Sequence, residues 1–330
     1  MNKVIYFASL PNGYFGSSAN SWSTLDVKKL ASSFLSKSYE VRYISITDIP
    51  EINFSSTDVL IYTSSDNEEI RSYLKDILYF KKDQCKLIPN YEILLAHENK
   101  GFQEVIKNKL GIDELKGSYF FDISQFKQPQ PYVLKTIDGS GSSGVNLIKS
   151  EQDLKKAVET NTSVSLKRKL KNIVRSYQLP EDSYLIYTYY YKPFKRFVAQ
   201  DFIKDLTCDY RILVVGKRFY AMRRDVRKGD FRASGSKQFF YHDVPLPALD
   251  YAKEVFDKLK NPYISMDVVV KDGHSYLIEY QGTNFGSSVL RKSDGYYVRN
   301  NNDWEFVKEQ SQHEEALSQG LLDFVETNYE

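Results

Sequence analysis

Apolar side chains in the first part of the chain fall into short runs separated by amphipathic stretches. Residues 4–8, 41–46, 59–62 and 86–88 are runs of strand length, and 59–62 is apolar at every position, as in a strand covered on both faces. Between them, residues 23–36 place Leu25, Leu30, Ala31 and Phe34 at near-helical spacing. Residues 68–80 likewise put Ile70, Leu74, Ile77 and Leu78 on one side of a helix. Strands alternating with helices predict a small open α/β domain. A further helix is predicted over 96–110, closed by Gly111 in the position glycine favours at a helix end.

The pattern then changes. Residues 118–203 mix β-type runs with a glycine–serine loop, and 152–160 read as a helix. Residues 184–191 and 197–203 are aromatic and β-branched, which predicts strands. Beyond them the pairing pattern is antiparallel. Cys208–Val215 and 218–224 form two strands around Gly216-Lys217, and 265–270 with 274–280 flank Asp272-Gly273, a strong hairpin signal. Leu246–Leu259 reads as a helix, and Leu317, Leu321, Phe324 and Val325 mark a C-terminal one. The expected fold class is α/β and α+β: an α/β domain over 1–92, a central lobe over 93–200 and a C-terminal lobe over 201–330.

Composition narrows the class. The chain has 330 residues, 42% hydrophobic and 27% charged, in the range of a globular protein. Its net charge of +2 gives no bulk field for nucleic acid. Two cysteines, Cys85 and Cys208, supply neither a disulfide framework nor a cysteine zinc site, and a reducing cytoplasmic setting is the expectation. No apolar segment approaches membrane-spanning length, so no membrane partner is expected. The four histidines, His97, His242, His274 and His313, share no ligand spacing and read as structural or surface residues.

Candidate chemistry begins at the loop. Gly139, Gly141 and Gly144 match the spacing of a dinucleotide fingerprint, but that motif needs a helix after the glycines. Here Val145-Asn146-Leu147-Ile148 is strand-like. A strand–loop–strand with Lys135 on its first strand, and Ser140, Ser142 and Ser143 as hydroxyl donors, suits a flap over nucleotide phosphates. In the last hairpin, Asp267 and Glu279 are brought together by the turn, and Gln281 shares a face with Glu279. Two carboxylates and an amide oxygen suit Mg²⁺; two edge carboxylates in water is the competing reading. Arg211, Arg223, Arg224, Arg227 and Arg232 follow the hinge-like Gln200-Asp201-Phe202-Ile203. Arg211 lies inside an apolar strand, where a charge needs a partner. The basic run 167–171 with Arg175 reads as a solvated helix or loop face, with an acidic substrate as the alternative.

Lysine, glycine loop, hinge, arginine strands and Asp…Glu-x-Gln, in that order over about 85–290, resemble the ATP-grasp superfamily. Within it, the chain is most similar to the carboxylate–amine ligases related to ribosomal-protein glutamate ligase, D-alanine ligase and glutathione synthetase. The resemblance implies an ATP- and Mg²⁺-dependent ligase, with Mn²⁺ as an alternative ion. It would join a small-molecule, peptide or sugar carboxylate to an amine through an acyl phosphate. A small-molecule kinase and a non-catalytic ATP-binding module are the competing functions. By the same resemblance, Lys100, Lys135 and the loop Gly139, Ser140, Gly141, Ser142, Ser143 and Gly144 would hold the nucleotide, with Asp201, Phe202 and Ile203 reading the adenine. Arg211, Arg224 and Arg232 would face substrate and phosphate, and Asp267, Glu279 and Gln281 would hold the metal. The family pattern has Asn at the third metal position, so Asn284 is a nearby substitute for Gln281. Relatives that are dimers point to a homodimer.

Overall fold

The structure, a computed structural model, describes residues 3–16, 24–123, 126–139, 144–162, 165–227, 229–233, 239–241, 244–301 and 303–329. The chain divides into two compact units, Met1–Leu115 with Ile203–Glu330, and Lys116–Phe202.

The first unit opens with strand β1 (Val4–Ser9), helices α1 (Val27–Leu30) and α2 (Ser32–Ser36), and strands β2 (Glu40–Ser45) and β3 (Val59–Tyr62). Helix α3 (Glu68–Lys81), strand β4 (Lys86–Ile88), and helices α4 (Tyr91–Ala96) and α5 (Lys100–Lys109) follow. The four strands pair in parallel in the order β2-β1-β3-β4. Alternation sorts their side chains between two cores. Tyr6, Ala8, Leu60 and Tyr62 pack with Leu74 and Leu78 of α3, while Ile5, Phe7, Val59 and Ile61 join a second cluster on the other face.

Two boundaries differ from expectation. The stretch 23–36 holds two short helices, with Asp26 capping α1 by accepting from Lys28 N and Lys29 N. The single helix expected over 96–110 is broken. Glu98 adopts φ +50°, and Asn99 then caps α5 by accepting from Phe102 N. A cap-type residue inside an apolar-periodic stretch restarted the helix, so the periodicity ran across a break.

The second unit contains β5 (Gly117–Phe120), β6 (Tyr132–Thr136), β7 (Val145–Ile148), α6 (Glu151–Asn161), α7 (Leu166–Gln178), α8 (Glu181–Tyr190) and β8 (Phe197–Asp201). Its antiparallel sheet runs β5-β8-β6-β7, with Tyr132, Leu134, Phe197 and Ala199 forming a core with Ile148 and Ala157. Residues 184–191 were expected to be a strand, and 184–190 lie in α8. Pro180 precedes an acidic first turn of Glu181 and Asp182, a helix start that overrides the β preference of tyrosine. Tyr184, Tyr187 and Tyr191 then contact one another at helical spacing, with centroids at 6.5 and 4.7 Å.

The chain returns to the first unit with β9 (Cys208–Val215), β10 (Arg218–Asp225), β11 (Phe239–Phe240), α9 (Leu246–Leu259), β12 (Tyr263–Lys271), β13 (His274–Gln281), α10 (Ser288–Lys292), β14 (Tyr296–Asn300), β15 (Asp303–Val307) and α11 (His313–Tyr329). These strands form an antiparallel sheet in the order β13-β12-β9-β10-β14-β15, with β11 beside β10. The hairpins at Gly216 and at Asp272-Gly273 lie where the sequence puts them, and Asp272 and Gly273 both take the positive φ of a type I′ turn. One face of the sheet packs on α9 through Ile212, Val214, Met266, Val268, Leu277 and Tyr280. The opposite face puts Leu213, Val215, Tyr220 and Met222 into the cluster that holds Ile5 and Phe7 of β1 and Leu317 and Leu321 of α11. No helix among the described residues is long and apolar enough to cross a membrane.

Helix α5 carries a buried ion pair whose lysine also reaches this sheet. Lys107 Nζ donates to both Glu104 carboxylate oxygens at 3.1 Å and to the carbonyls of Leu115 and Leu277 at 3.4 and 3.3 Å. Removing one partner strands a buried charge, which costs far more than replacing both. Lys107→Met is expected to lower stability by roughly 3–5 kcal/mol in urea unfolding, and Glu104→Leu combined with Lys107→Met by clearly less.

Candidate functional site

The charged residues of the first unit gather on one sheet face because of strand register. Asp267 of β12 lies opposite Arg211 of β9 on one side and Glu279 of β13 on the other. Arg224 of β10 lies opposite Asp209 of β9, two residues from Arg211 and therefore on the same face. A β-bulge between the Asp267 and Val268 pairings puts one extra residue, Ile278, into β13. It allows Leu277 and Tyr280 both to enter the α9 core, while Glu279 and Gln281 stay on the charged face.

Salt bridges link this face into a ladder. Arg211 Nε donates to Asp267 Oδ1 at 2.8 Å, and its Nη2 donates to Oδ2 at 3.0 Å. Arg224 is 3% exposed and donates to both oxygens of Asp209 at 2.6 and 2.7 Å, with Nη2 also 2.8 Å from Asp267 Oδ2. Burial alone would raise the Asp267 carboxyl, but Arg211 and Arg224 outweigh it and hold it well below the usual carboxylate range. Asp209 has Arg224 as its closest cation, and burial with the nearby Asp267 charge pushes it up to about 6. The two aspartates compete for one guanidinium, and Asp267 keeps its charge.

Around Glu279 the contacts are looser. Lys100 Nζ, at the start of α5, is 3.9 Å from Glu279 Oε2. Gln281 Oε1 lies 3.2 Å from His97 Nδ1, and its Nε2 donates to Glu98 Oε1 at 3.3 Å. His97 Nε2 is 3.3 Å from the Ser65 carbonyl. Burial raises Glu98 and lowers His97 to about 4. Asn284 is elsewhere engaged, donating to Asp66 Oδ1 at 3.0 Å. Arg232 is forked onto Asp230, with Nε 2.9 Å from both oxygens. In the turn after β13, Thr283 Oγ1 and Ser287 Oγ are buried without a partner. The sequence did not single out His97 as a neighbour of Gln281, and no local signal links residues so far apart in the chain.

The second unit carries the loop lysine. Lys135 is 6% exposed on β6, and its Nζ donates to Gln200 Oε1 of β8 at 2.6 Å. Gln200 was seen only as part of a hinge, and its pairing with Val133 places it beside Lys135. Gly139 and Gly144 take φ +105° and +70°, and a Cβ on Gly144 would sit 2.1 Å from Thr136 Oγ1. Ser140, Gly141, Ser142 and Ser143 lie outside the described residues. Asp201 Oδ1 accepts from Gln128 Nε2 at 2.9 Å, and the boundary between the units falls between Phe202 and Ile203.

A metal is testable against the donors present. Among the described residues no group of three or more His, Cys, Asp or Glu side chains gathers as a ligand cage. The arginine contacts use three of the roughly four acceptor directions of the Asp267 carboxylate, which leaves Oδ1 able to take a cation. Glu279 is held only loosely by Lys100, and Gln281 adds an amide oxygen, so this oxygen set fits a hard divalent ion with open positions. A separate open cavity of about 640 Å³ also carries acids, but Glu114 there accepts from Tyr251 Oη at 2.6 Å and Asp250 from Trp304 Nε1 at 2.9 Å.

Comparison with known proteins gives a domain match and a fold. Residues 93–238 match the model of the RimK-like ATP-grasp domain. No curated protein matches the chain at a significant level. Among solved structures, D-alanine–D-alanine ligase from Bacillus anthracis complexed with ATP aligns over 100% of this chain and 99% of its own, at 12% identity and a TM-score of 0.53. The D-cycloserine synthetase DcsG aligns over 98% and 99%, at 8% identity and a TM-score of 0.56. The ATP-grasp ligase PsnB, complexed with a minimal precursor, Mg and ADP, aligns over 98% of both chains at 8% identity and a TM-score of 0.52. At these identities the likeness establishes the ATP-grasp fold.

His97 gives this face a pH signature. Its ordinary value is about 6.5 and burial lowers it to about 4. Between those values the unfolded chain binds a proton that the folded chain does not, so stability present above pH 6.5 is lost as pH falls toward 4. Urea unfolding at pH 7 and pH 5 should show a stability difference roughly 2 kcal/mol smaller in His97→Asn than in the wild type.

Proposed function

We propose that this chain, an ATP-grasp protein with a RimK-like domain over residues 93–238, is an ATP-dependent ligase that joins a carboxylate to an amine. The observation that carries the reading is the oxygen set of Asp267, Glu279 and Gln281 on one sheet face, with arginines beside it. We assign the functional parts to 1–92, 93–200 and 201–330.

A bound Mg²⁺, held by Asp267, Glu279 and Gln281, would neutralise charge on the nucleotide's phosphate oxygens. The chain's own residues do the remaining work. In the unit Lys116–Phe202, Lys135 and the glycine loop are assigned to the phosphates, and Asp201, Phe202 and Ile203 to the adenine edge. In the other unit, Lys100 beside Glu279 is assigned to the nucleotide, and Arg211 and Arg232, each part-exposed, to the substrate carboxylate. Arg224 is sequestered between Asp209 and Asp267. Its part is to hold Asp267 ionised and in place, in preference to direct contact with phosphate.

In the reaction, a carboxylate oxygen attacks the γ-phosphorus, the bond to the β-phosphate oxygen breaks, and ADP leaves. The amine nitrogen then attacks the acyl carbon, the carbon–oxygen bond to phosphate breaks, and the amide forms with loss of an amine proton. Positioning and charge neutralisation supply most of such a barrier reduction. The glycine loop ends in Gly144, whose own backbone lies against Thr136, with Thr136 N donating to Gly144 O at 3.1 Å. Closure of this loop would keep water from the acyl phosphate.

The test is ADP release by purified protein with Mg²⁺, screened over carboxylates and amines. Release is expected only when both are present, with free phosphate and an amide as products; an acid-stable phosphorylated product would instead mean a kinase. Glu279→Gln is expected to cut turnover about a hundredfold or more while most ATP affinity survives. A wild-type protein that binds no ATP in the presence of Mg²⁺ would overturn the reading.

A further inference from the structure

Helix α7 is built inside out. Leu166, Leu170, Ile173, Val174 and Tyr177 fall at i, i+4, i+7, i+8 and i+11, one continuous apolar stripe. On a surface helix such a stripe faces the core. Here each of these residues is more than half exposed, from 51% for Val174 to 87% for Tyr177. The half-buried side is the polar one, Arg168, Asn172 and Arg175, with the Arg168 guanidinium stacked 4.1 Å from the Tyr191 ring. Helix α8 repeats the arrangement. Tyr184 and Tyr187 turn inward, while Leu185, Ile186, Tyr189 and Tyr190 are exposed.

Charge identifies what would cover these stripes. Helix α7 carries Lys167, Arg168, Lys169, Lys171 and Arg175 and no acidic residue. Residues 165–196 hold eight Lys and Arg against two acids, so in a chain of net charge +2 everything outside this segment is net negative. On a helical projection Lys167 and Lys169 fall at the two edges of the apolar stripe, where long side chains can lay their stems on an apolar phase and keep their charges in water. Tyrosines suit the same boundary.

We infer that α7 and α8 form a docking face for an anionic lipid bilayer, on which the protein lies without crossing it. A stripe of about 20 Å on the convex side of a helix suits a plane. A helical peptide needs a groove. The cavity of about 230 Å³ in this unit is lined by Phe121, Ile137, Asp138, Phe194, Lys195 and Arg196 and takes in none of the stripe residues. A second copy of the chain would bring two strongly basic helices together. The expectation of no membrane partner rested on the lack of a spanning segment, and surface attachment has no such requirement. This inference stands independently of the proposed ligase activity.

The experiment is co-sedimentation of the full-length protein with vesicles. Binding is expected to equimolar phosphatidylcholine and phosphatidylglycerol, to weaken with salt, and to be absent on phosphatidylcholine alone. Lys167→Gln and Lys169→Gln should each weaken binding roughly fivefold. Leu170→Ser with Ile173→Ser should abolish it while circular dichroism and thermal unfolding stay unchanged; should that pair fail to fold, Tyr177→Ser gives the same comparison. No binding to the anionic vesicles, or binding insensitive to these substitutions, would overturn the inference. So would a dimer that Leu170→Ser dissolves, or capture on an acidic amphipathic peptide without vesicle binding.

Discussion

A one-residue slip in the pairing of β12 with β13 decides which chemistry the sheet can carry. Strict alternation after Leu277 would send Glu279 and Gln281 into the α9 core and leave Tyr280 outside it. The bulge reverses the alternation at that point. Tyr280 is buried beside Met266, and two polar side chains arrive next to Asp267. A core of Leu277, Tyr280, Met266 and Val268 thus pins the geometry of the charged face from behind.

The same face must solve the problem of an aspartate that is only 7% exposed. A buried carboxylate would ordinarily take up a proton, and a neutral acid is a poor cation ligand. Arg211 and Arg224 keep Asp267 ionised, and Asp209 in turn gives Arg224 a second counter-charge. Cross-strand register supplies all of these contacts without help from loops. Glu279 and Gln281, at the less buried edge, are left with longer and weaker contacts to Lys100, His97 and Glu98. Rigid partners behind and loose ones in front suit a site that must accept a ligand.

Much of this was legible in the chain, for identifiable reasons. The hairpin at Asp272-Gly273 fixes its own turn, so the approach of β12 to β13 can be expected from residues alone; the turn's register by itself would set Asp267 opposite Ile278, and the bulge that moves Glu279 there has no signal in the sequence. The parallel strands of the N-terminal part were readable because their apolar runs and intervening helices have different periods. The tyrosine-rich stretch was not. Seven residues, 184–190, most of them of high β preference, became helix because Pro180 and two acids start one there. The pairing of Lys135 with Gln200 and of His97 with Gln281 was also out of reach, since each joins residues through tertiary packing that no local pattern encodes. The inverted polarity of α7 is of the same kind: periodicity reveals the stripe, and only packing reveals which way it faces.

The proposed function requires the Asp267, Glu279 and Gln281 face to hold a divalent ion together with a nucleotide. Electron paramagnetic resonance titration of Mn²⁺ into the protein with ADP tests it most directly. Nucleotide-dependent Mn²⁺ binding is expected, weakened about tenfold or more by Glu279→Gln and unchanged by Glu254→Gln in the acidic cavity lined by Glu114 and Asp250. Binding that survives Glu279→Gln intact, or that disappears with Glu254→Gln, would contradict it.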